Sequence, residues 1–307
     1  MNKECVMNNA TRRFSTTFLL VAPLLSAAVV LGLRPSSTTQ LVLLAAAVIV
    51  LGLPHGALDP LVAQCVFRGT SRVFFYASYL IASALVILAW IAWPKLALGC
   101  FLLIAAFHFG SDLADEGRVW IRTFYGLTVL AVPCVLHGAD VAAIYEQLAG
   151  QSTGDYVAFS KWIAYVAGAT IFGDALLKMK SQPRRAAEVV AILLSGILLP
   201  PLLYFCCYFG LLHSPRHLIE TASSLGLKTL RTALALIAAI VAATLCLATI
   251  GWGMLSRVSV PHRMLLVVFV GLAALTVPHM LLEGCVWRWR SRTVLPGPPF
   301  SEPHSTS

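Results

Sequence analysis

The stretch TALALIAAIVAATLCLATIGWGML, residues 232–255, contains no Asp, Glu, Lys, Arg or His. At a helical rise of about 1.5 Å per residue, it is long enough to cross the apolar core of a bilayer, which is roughly 30 Å thick. Apolar runs of similar length recur from one end of the chain to the other. The sequence therefore predicts an all-α fold, a polytopic transmembrane helix bundle with about eight to ten spans.

The composition supports a membrane protein and argues against nucleic-acid binding. Of the 307 residues, 59% are hydrophobic and 11% are charged, whereas soluble domains are about 25% charged. The net charge of +9 comes from Lys and Arg residues spread through short loops between the apolar runs. That distribution is typical of the positive-inside rule and not of a nucleic-acid interface. The scattered cysteines form no CxxC pair, so we interpret them as small apolar residues of the bundle.

Breaks between the apolar runs mark roughly ten candidate spans. They lie at about 14–33, 40–65, 73–93, 96–113, 120–138, 156–177, 186–200, 201–218, 232–255 and 263–284. The alternative is an eight-span bundle, because LLPPLLYFCCYFG (198–210) could be a single kinked segment.

The loops also predict an orientation and a division of the chain. With a cytoplasmic N-terminus and an even number of spans, most Lys and Arg residues fall on the cytoplasmic side. We therefore expect a multi-pass protein of the cell inner membrane with both termini in the cytoplasm. Residues 1–13 form a cytoplasmic segment, residues 14–292 form the transmembrane catalytic bundle, and the Pro- and Ser-rich residues 293–307 form a disordered tail.

Four apolar spans carry a histidine that is followed four residues later by another residue able to bind a metal. The pairs are His55 and Asp59, His108 and Asp112, His213 and His217, and His279 and Glu283. A spacing of four places both side chains on one helix face. Helices commonly use it to present a metal ligand with its orienting carboxylate, or two ligands together.

The depth of the five histidines supports a shared site. Counted at about 1.5 Å per residue, all five lie roughly 18–24 Å below the outer ends of their spans. Polar side chains at such depth usually face the bundle interior and serve a function. Buried structural histidines and a proton relay are the alternatives. Imidazoles without a thiolate suit Fe, Cu or Zn, while His137, His262 and His304 fall outside this layer.

Two features of HSPRH (213–217) affect its geometry. Pro215 removes a helical hydrogen bond and distorts the turn that carries both histidines, which either aims the rings together or ends the helix. The Arg216 guanidinium either pairs with Asp59 or Asp112, or extends to the cytoplasmic surface.

Aromatic residues flank two of the histidine motifs. Packing is their commoner role, but they also supply the wall that an elongated apolar ligand requires. The candidates for a substrate channel are Phe107, Phe109, Tyr204 and Tyr208.

The motifs LPHGALD (53–59), HFGSD (108–112), HSPRH (213–217) and VPHMLLE (277–283) together resemble the Brp/Blh family of β-carotene 15,15′-dioxygenases. The resemblance implies cleavage of the central double bond of β-carotene by O2, giving two retinals. It also implies a non-haem Fe(2+) held by four histidines. Carried over motif by motif, the ligands are His55, His108, His213 and His217, and His279 lines the site.

The remaining residues of the motifs are expected around the ligands. Asp59 and Asp112 would accept hydrogen bonds from the imidazoles and fix their orientation, and Glu283 and Arg216 would line the same site. An intramembrane site suits a substrate that enters from membrane lipid, and the retinal product would be available to a rhodopsin.

Three alternatives remain open at the level of the sequence. A transporter or proton-coupled membrane protein would use the His and Asp layer without a metal. A membrane desaturase or hydroxylase would carry more histidines, typically in adjacent HH pairs, which this chain lacks. A retinal-binding photoreceptor would have a lysine deep in a span, whereas Lys161 lies near an end.

Overall fold

A computed structural model of the protein describes residues 3–67, 69–113, 118–225 and 230–293. Every regular element in these ranges is helical. The α-helices are α1 (Lys3–Val30), α2 (Ser37–Ala47), α3 (Leu53–Gly56), α4 (Asp59–Val66), α5 (Thr70–Ala92), α6 (Pro94–Phe109), α7 (Val119–Ala131), α8 (Cys134–Ala149), α9 (Gly154–Leu177), α10 (Pro183–Leu198), α11 (Pro201–Tyr208), α12 (Ser214–Ser224), α13 (Leu230–Met254) and α14 (Val260–Thr293). Two π-helical turns, Val48–Gly52 and Phe209–His213, and one 3-10 turn, Gly110–Leu113, extend three of them.

Proline and glycine set several helix ends. Pro94, Pro183 and Pro201 occupy the first turns of α6, α10 and α11, where the missing N–H of proline removes no helical hydrogen bond. Gly150 ends α8 with a φ of 66°, a left-handed conformation that glycine adopts without steric cost.

Six helical segments in the described ranges are long and apolar enough to cross a membrane, fewer than the eight to ten expected. They are Ala10–Val30, Ser37–Cys65, Thr70–Ala92, Pro94–Leu113, Leu234–Met254 and Val260–Gly284. A seventh is obtained if α7 and α8, which are bent by 68° at Val132–Pro133, count as one span. The other predicted spans are helical as well, but α10 has only 16 residues and α11 only 8.

The helices pack into a polytopic bundle, which confirms the predicted fold class. Helix α7 packs against α6 and α9, α14 against α5, and α1 against α10. The largest fully buried side chains include Tyr204, Tyr208 and Phe18. By contrast, no residue of the most apolar stretch of α13 is fully buried, as expected for a helix that contacts lipid along part of its surface.

Helices α6 and α7 approach each other very closely near the end of α6. A β-carbon at Gly126 would overlap the carbonyl oxygen of Ala106, and one at Gly110 would lie 2.7 Å from the carbonyl oxygen of Arg122. Only glycine allows this contact. It fixes the last turn of α6, which carries His108.

The predicted terminal segments are described only in part. Helix α1 begins at Lys3, so the N-terminal segment and the first span form one continuous helix. The predicted disordered tail lies outside the described residues from residue 294 onward.

Candidate metal centre

The five histidines of the predicted layer come together from five segments of the fold. His55 lies in α3, His108 in the last turn of α6, His213 at the end of the second π turn, His217 in α12 and His279 in α14. The ring centroid of His55 is 4.9–6.0 Å from the centroids of the other four. The structure thus brings together the four predicted ligands and the predicted lining histidine.

The two π-helical turns set the directions of two of these rings. Val48–Gly52 leads into the segment with His55, and Phe209–His213 ends on His213 itself. In both places a proline follows the π turn after one intervening residue. Proline lacks an N–H and crowds the carbonyl four residues earlier, so a wider turn suits these positions. Single π turns inside α-helices are frequent at functional sites.

The two π turns also lie against each other. A β-carbon at Gly52 would be 2.9 Å from Cε1 of Phe209. The Ser214 hydroxyl donates to the carbonyl oxygen of Leu51 at 2.7 Å, across 163 residues of sequence. This contact explains how His55 and His213 become neighbours although they are far apart in the chain.

Asp59 fixes the ring of His279. The Nδ1 atom of His279 lies 2.8 Å from Oδ1 and 2.9 Å from Oδ2 of Asp59. The Tyr79 hydroxyl donates to Oδ2 of the same carboxylate at 2.9 Å. Both Asp59 and His279 are buried.

Asp112 holds His213 in the same way. The Nδ1 atom of His213 lies 2.9 Å from Oδ1 of Asp112, and the Tyr208 hydroxyl donates to Oδ2 at 2.6 Å. Neither side chain of the pair is exposed at all. The Nε2 atom of His213 faces Nε2 of His108 at 3.1 Å.

Glu283 is shared among three histidines. Its carboxylate oxygens lie 3.8 Å from Nδ1 of His108, 3.6 Å from Nδ1 of His217 and 3.5 Å from Nε2 of His279. A separate contact holds His217 from the other side, where its Nε2 atom lies 3.1 Å from the Ser111 hydroxyl.

Asp59 and Asp112 contact imidazoles of other motifs, not the histidine four residues before each in the sequence. A spacing of four places two side chains on one face only in a continuous α-helix. The helix is interrupted at Ala57–Leu58, and the 3-10 turn Gly110–Leu113 rotates Asp112. Helix α14 is continuous, and Glu283 accordingly stays beside the histidine of its own motif.

Four imidazole nitrogens of the cluster are buried and make no hydrogen bond, although three of them face the Glu283 carboxylate at 3.5–3.8 Å. They are Nδ1 of His55, Nδ1 of His108, Nδ1 of His217 and Nε2 of His279. Such atoms are rare in folded proteins and call for an explanation, of which a bound ion is one. Potential ligand atoms of His55, His108 and His279 lie within 4.8 Å of one another, as do those of His108, His217 and Glu283. Imidazoles with one carboxylate suit Fe, Cu or Zn.

Arg216 pairs with a residue that sequence reasoning missed. It donates to Oε2 of Glu188 at 2.9 Å and to the backbone carbonyl of Asp112 at 3.3 Å. It therefore neither pairs with the carboxylates of Asp59 or Asp112 nor reaches the surface, because only 13% of its side chain is exposed. The Ser15 hydroxyl also donates to Glu188, so α1 contributes to this network.

The four predicted channel residues differ in their exposure. Phe109 is buried, with its ring centroid 4.8 Å from that of His213. Tyr204 and Tyr208 are buried in the core, and Tyr208 supports Asp112. Phe107 is 59% exposed, and its place in a substrate channel stays a prediction.

Three residues of the site were missed in the sequence. Glu188 is an isolated carboxylate in an apolar run, a signal that could have been used. Tyr79 and Ser111 give no distinctive pattern, because hydroxyl residues are common in apolar helices.

Known proteins resemble the chain over most of its length. A family model described as "Beta-carotene 15,15'-dioxygenase" matches residues 46–287, a range that includes all five clustered histidines. A protein named "Beta-carotene 15,15'-dioxygenase" from uncultured marine bacterium 66A03 is 27% identical over 264 residues, which cover 81% of this chain and 94% of that protein. No solved structure matches the chain significantly.

Proposed function

The chain belongs to the β-carotene 15,15′-dioxygenase family, and from this premise we propose that it cleaves the central double bond of β-carotene with O2. The carbon–carbon double bond breaks, and each of its two carbons receives one atom of O2 as an aldehyde oxygen. The two products are retinals. All atoms of the substrate and of O2 are then in the products, and no further reductant is required.

We propose that Fe(2+) is the metal and that His55, His108, His213 and His217 hold it. The observation that supports this proposal is the closeness of the four rings, whose centroids lie 4.7–6.0 Å apart, together with buried nitrogens of His55, His108 and His217 that make no hydrogen bond. Iron(II) would supply the one-electron chemistry with O2 that amino-acid side chains lack. Asp112 and Ser111 hold the outer nitrogens of His213 and His217, so the opposite nitrogens face inward.

The surroundings of the cluster suit an apolar substrate. Phe109 contacts His213, and Phe205 stacks on both Phe209 and Phe269 with centroid distances of 5.5 and 6.0 Å. β-Carotene is an elongated hydrocarbon that partitions into membranes, so it would approach from the lipid. Apolar and aromatic walls would hold the polyene with its central bond at the metal.

We further propose the cell inner membrane as the location, with both termini in the cytoplasm. Three cationic side chains meet at one carboxylate, because Arg118, Lys178 and Arg185 all lie within 3.7 Å of Asp174. These side chains lie at the start of α7, the end of α9 and the start of α10. The end of the bundle where these helix ends meet therefore carries the positive charge typical of a cytoplasmic side. Retinal released into the membrane would be available to a rhodopsin.

Expression in bacteria that accumulate β-carotene tests the reaction. Cells that make the protein are expected to lose their orange colour and to contain retinal, measured by chromatography. The His108→Ala variant should stay coloured, while His262→Ala should bleach like the wild type, because His262 lies outside the cluster and contacts the Gln147 carbonyl. Unchanged pigment at normal expression of the wild-type protein would contradict the proposal and favour a transporter.

A further inference from the structure

We propose that His279 binds the metal directly through Nε2, as a fifth histidine ligand positioned by Asp59 and Tyr79. The inference depends on the proposed function for the identity of the ion, iron(II). The choice of His279 as a ligand follows from the geometry of the cluster.

The hydrogen bonds of Asp59 determine which nitrogen of His279 is available. Both carboxylate oxygens lie within 2.9 Å of Nδ1, and a carboxylate can only accept, so Nδ1 carries the proton. In the neutral ring, Nε2 then presents its lone pair. The Tyr79 hydroxyl donates to the same carboxylate, which holds Asp59 in place. A histidine backed by a carboxylate in this way is the common arrangement at metal sites.

The Nε2 atom points into the cluster. It is buried and makes no hydrogen bond, and the Glu283 carboxylate lies 3.5 Å away, so an ion bound there would lie between the imidazole and an anion. Potential ligand atoms of His279, His55 and His108 lie within 4.8 Å of one another. Metal–nitrogen bonds of roughly 2.1 Å place neighbouring nitrogens of one ion about 3 Å apart and opposite nitrogens about 4.2 Å apart, so the three side chains would move inward to hold one ion between them. The ring centroid of His279 is 4.9 Å from that of His55 and 5.2 Å from that of His108.

His213 provides an internal comparison. It too has Nδ1 held by a buried aspartate that a tyrosine supports, and its Nε2 faces the cluster. Asp59, Tyr79 and His279 form the same arrangement of carboxylate, hydroxyl and imidazole. If an imidazole held in this way by an aspartate and a tyrosine makes His213 a metal ligand, the same arrangement makes His279 one.

The position of His279 also complements that of His217. Their ring centroids are 6.2 Å apart, and the Glu283 carboxylate lies 3.5–3.6 Å from a nitrogen of each ring. A fifth nitrogen would leave a six-coordinate ion with a single open position instead of about two.

Metal binding by the purified, detergent-solubilised full-length protein tests this inference. Fe(2+) and Zn(2+) are used separately as probes, with affinity measured by competition with a chromophoric chelator and imidazole ligands counted by X-ray absorption. We expect His279→Ala to lose one imidazole and to bind either ion at least about 10-fold more weakly. His262→Ala, a histidine outside the cluster, should match the wild type.

Two conservative variants keep the test valid if His279→Ala does not fold. Asp59→Asn should weaken binding about 10- to 100-fold by releasing the ring, and Tyr79→Phe should weaken it less. The inference would be overturned if Asp59→Asn and Tyr79→Phe both bound the ions as tightly as the wild type. An unchanged imidazole count in folded His279→Ala would also overturn it. Either result would leave the proposed function intact. Wild-type protein that binds Zn(2+) through His279 but not Fe(2+) would instead overturn the proposed function and leave His279 as a ligand. Failure to bind either ion would overturn both.

Discussion

At the scale of single residues, Asp112 places a fully buried carboxylate at the site. This carboxylate accepts from His213 and Tyr208. Replacement by Asn leaves the shape unchanged but removes the charge and one acceptor, so the proton on His213 is no longer fixed at Nδ1.

We therefore expect Asp112→Asn to lower iron occupancy of the purified protein about 10- to 100-fold, measured by elemental analysis after equilibration at limiting iron. Asp140→Asn is the matched control, because Asp140 lies 3.5 Å from a histidine outside the cluster and is mostly exposed. Equal occupancy in the two variants would show that Asp112 does not orient a ligand.

The buried pair of Arg216 and Glu188 gives a second prediction at this scale. Their side chains are only 13% and 10% exposed. Glu188→Gln would leave a buried guanidinium without its counter-charge, which costs about 3–5 kcal/mol of folding stability. Thermal unfolding in detergent should show a clear loss.

Two further variants serve as comparisons for the unfolding temperature of Glu188→Gln. Asp155→Asn should change the unfolding temperature little, because its pair with Lys95 is at the surface. The double variant Glu188→Leu, Arg216→Met should be more stable than Glu188→Gln, because it buries no charge. A Glu188→Gln protein as stable as the wild type would mean that water already solvates Arg216.

The histidines of the site could be predicted from the sequence, but their carboxylate partners could not. The five histidines could be found, because a polar side chain deep in an apolar span must face the bundle interior. Their carboxylate partners could not, because pairing depends on turns at Ala57–Leu58 and Gly110–Leu113 that no sequence pattern specifies. The partner of Arg216 was missed for a related reason, since Glu188 lies on a different helix.

At the scale of helices, the contact of α6 with α7 controls the place of His108. A β-carbon at Gly126 would overlap the backbone of α6 at Ala106, and backbone cannot move aside as a flexible side chain can. Gly126→Ala is therefore expected to separate the two helices and to displace the turn with His108.

We expect Gly126→Ala to lower both the unfolding temperature and iron retention, each measured on the purified protein in detergent. Gly173→Ala in α9 is the control, because nothing lies within 4 Å of its added methyl group. That control should be neutral or slightly stabilising, since Ala favours helix over Gly by about 1 kcal/mol. Identical behaviour of the two variants would contradict the close contact.

The bounds of a helix can be predicted from the sequence only where an apolar run forms one uninterrupted helix. The runs at 73–93 and 232–255 correspond closely to α5 and α13. The run at 40–65 instead contains a π turn and a break before α4, because its proline and glycine residues favour local deviations that side-chain hydropathy does not record.

At the scale of the whole molecule, the distribution of charge predicts its orientation. Arg184 donates to the backbone carbonyl of Arg12, which places the N-terminal helix and the start of α10 at the same basic end. This end should face the cytoplasm. Reporter fusions to the C-terminus test the orientation: a fluorescent protein should be bright and alkaline phosphatase inactive. Active phosphatase at the C-terminus would contradict it.

The central claim is that imidazoles from distant parts of the chain share one ion inside the membrane bundle, and metal analysis of the purified protein tests it most directly. Wild-type protein is expected to carry about one iron per chain, and His108→Ala, which removes a ring close to each of the other four, is expected to carry almost none. A wild-type preparation that is free of metal and still cleaves β-carotene would contradict the claim.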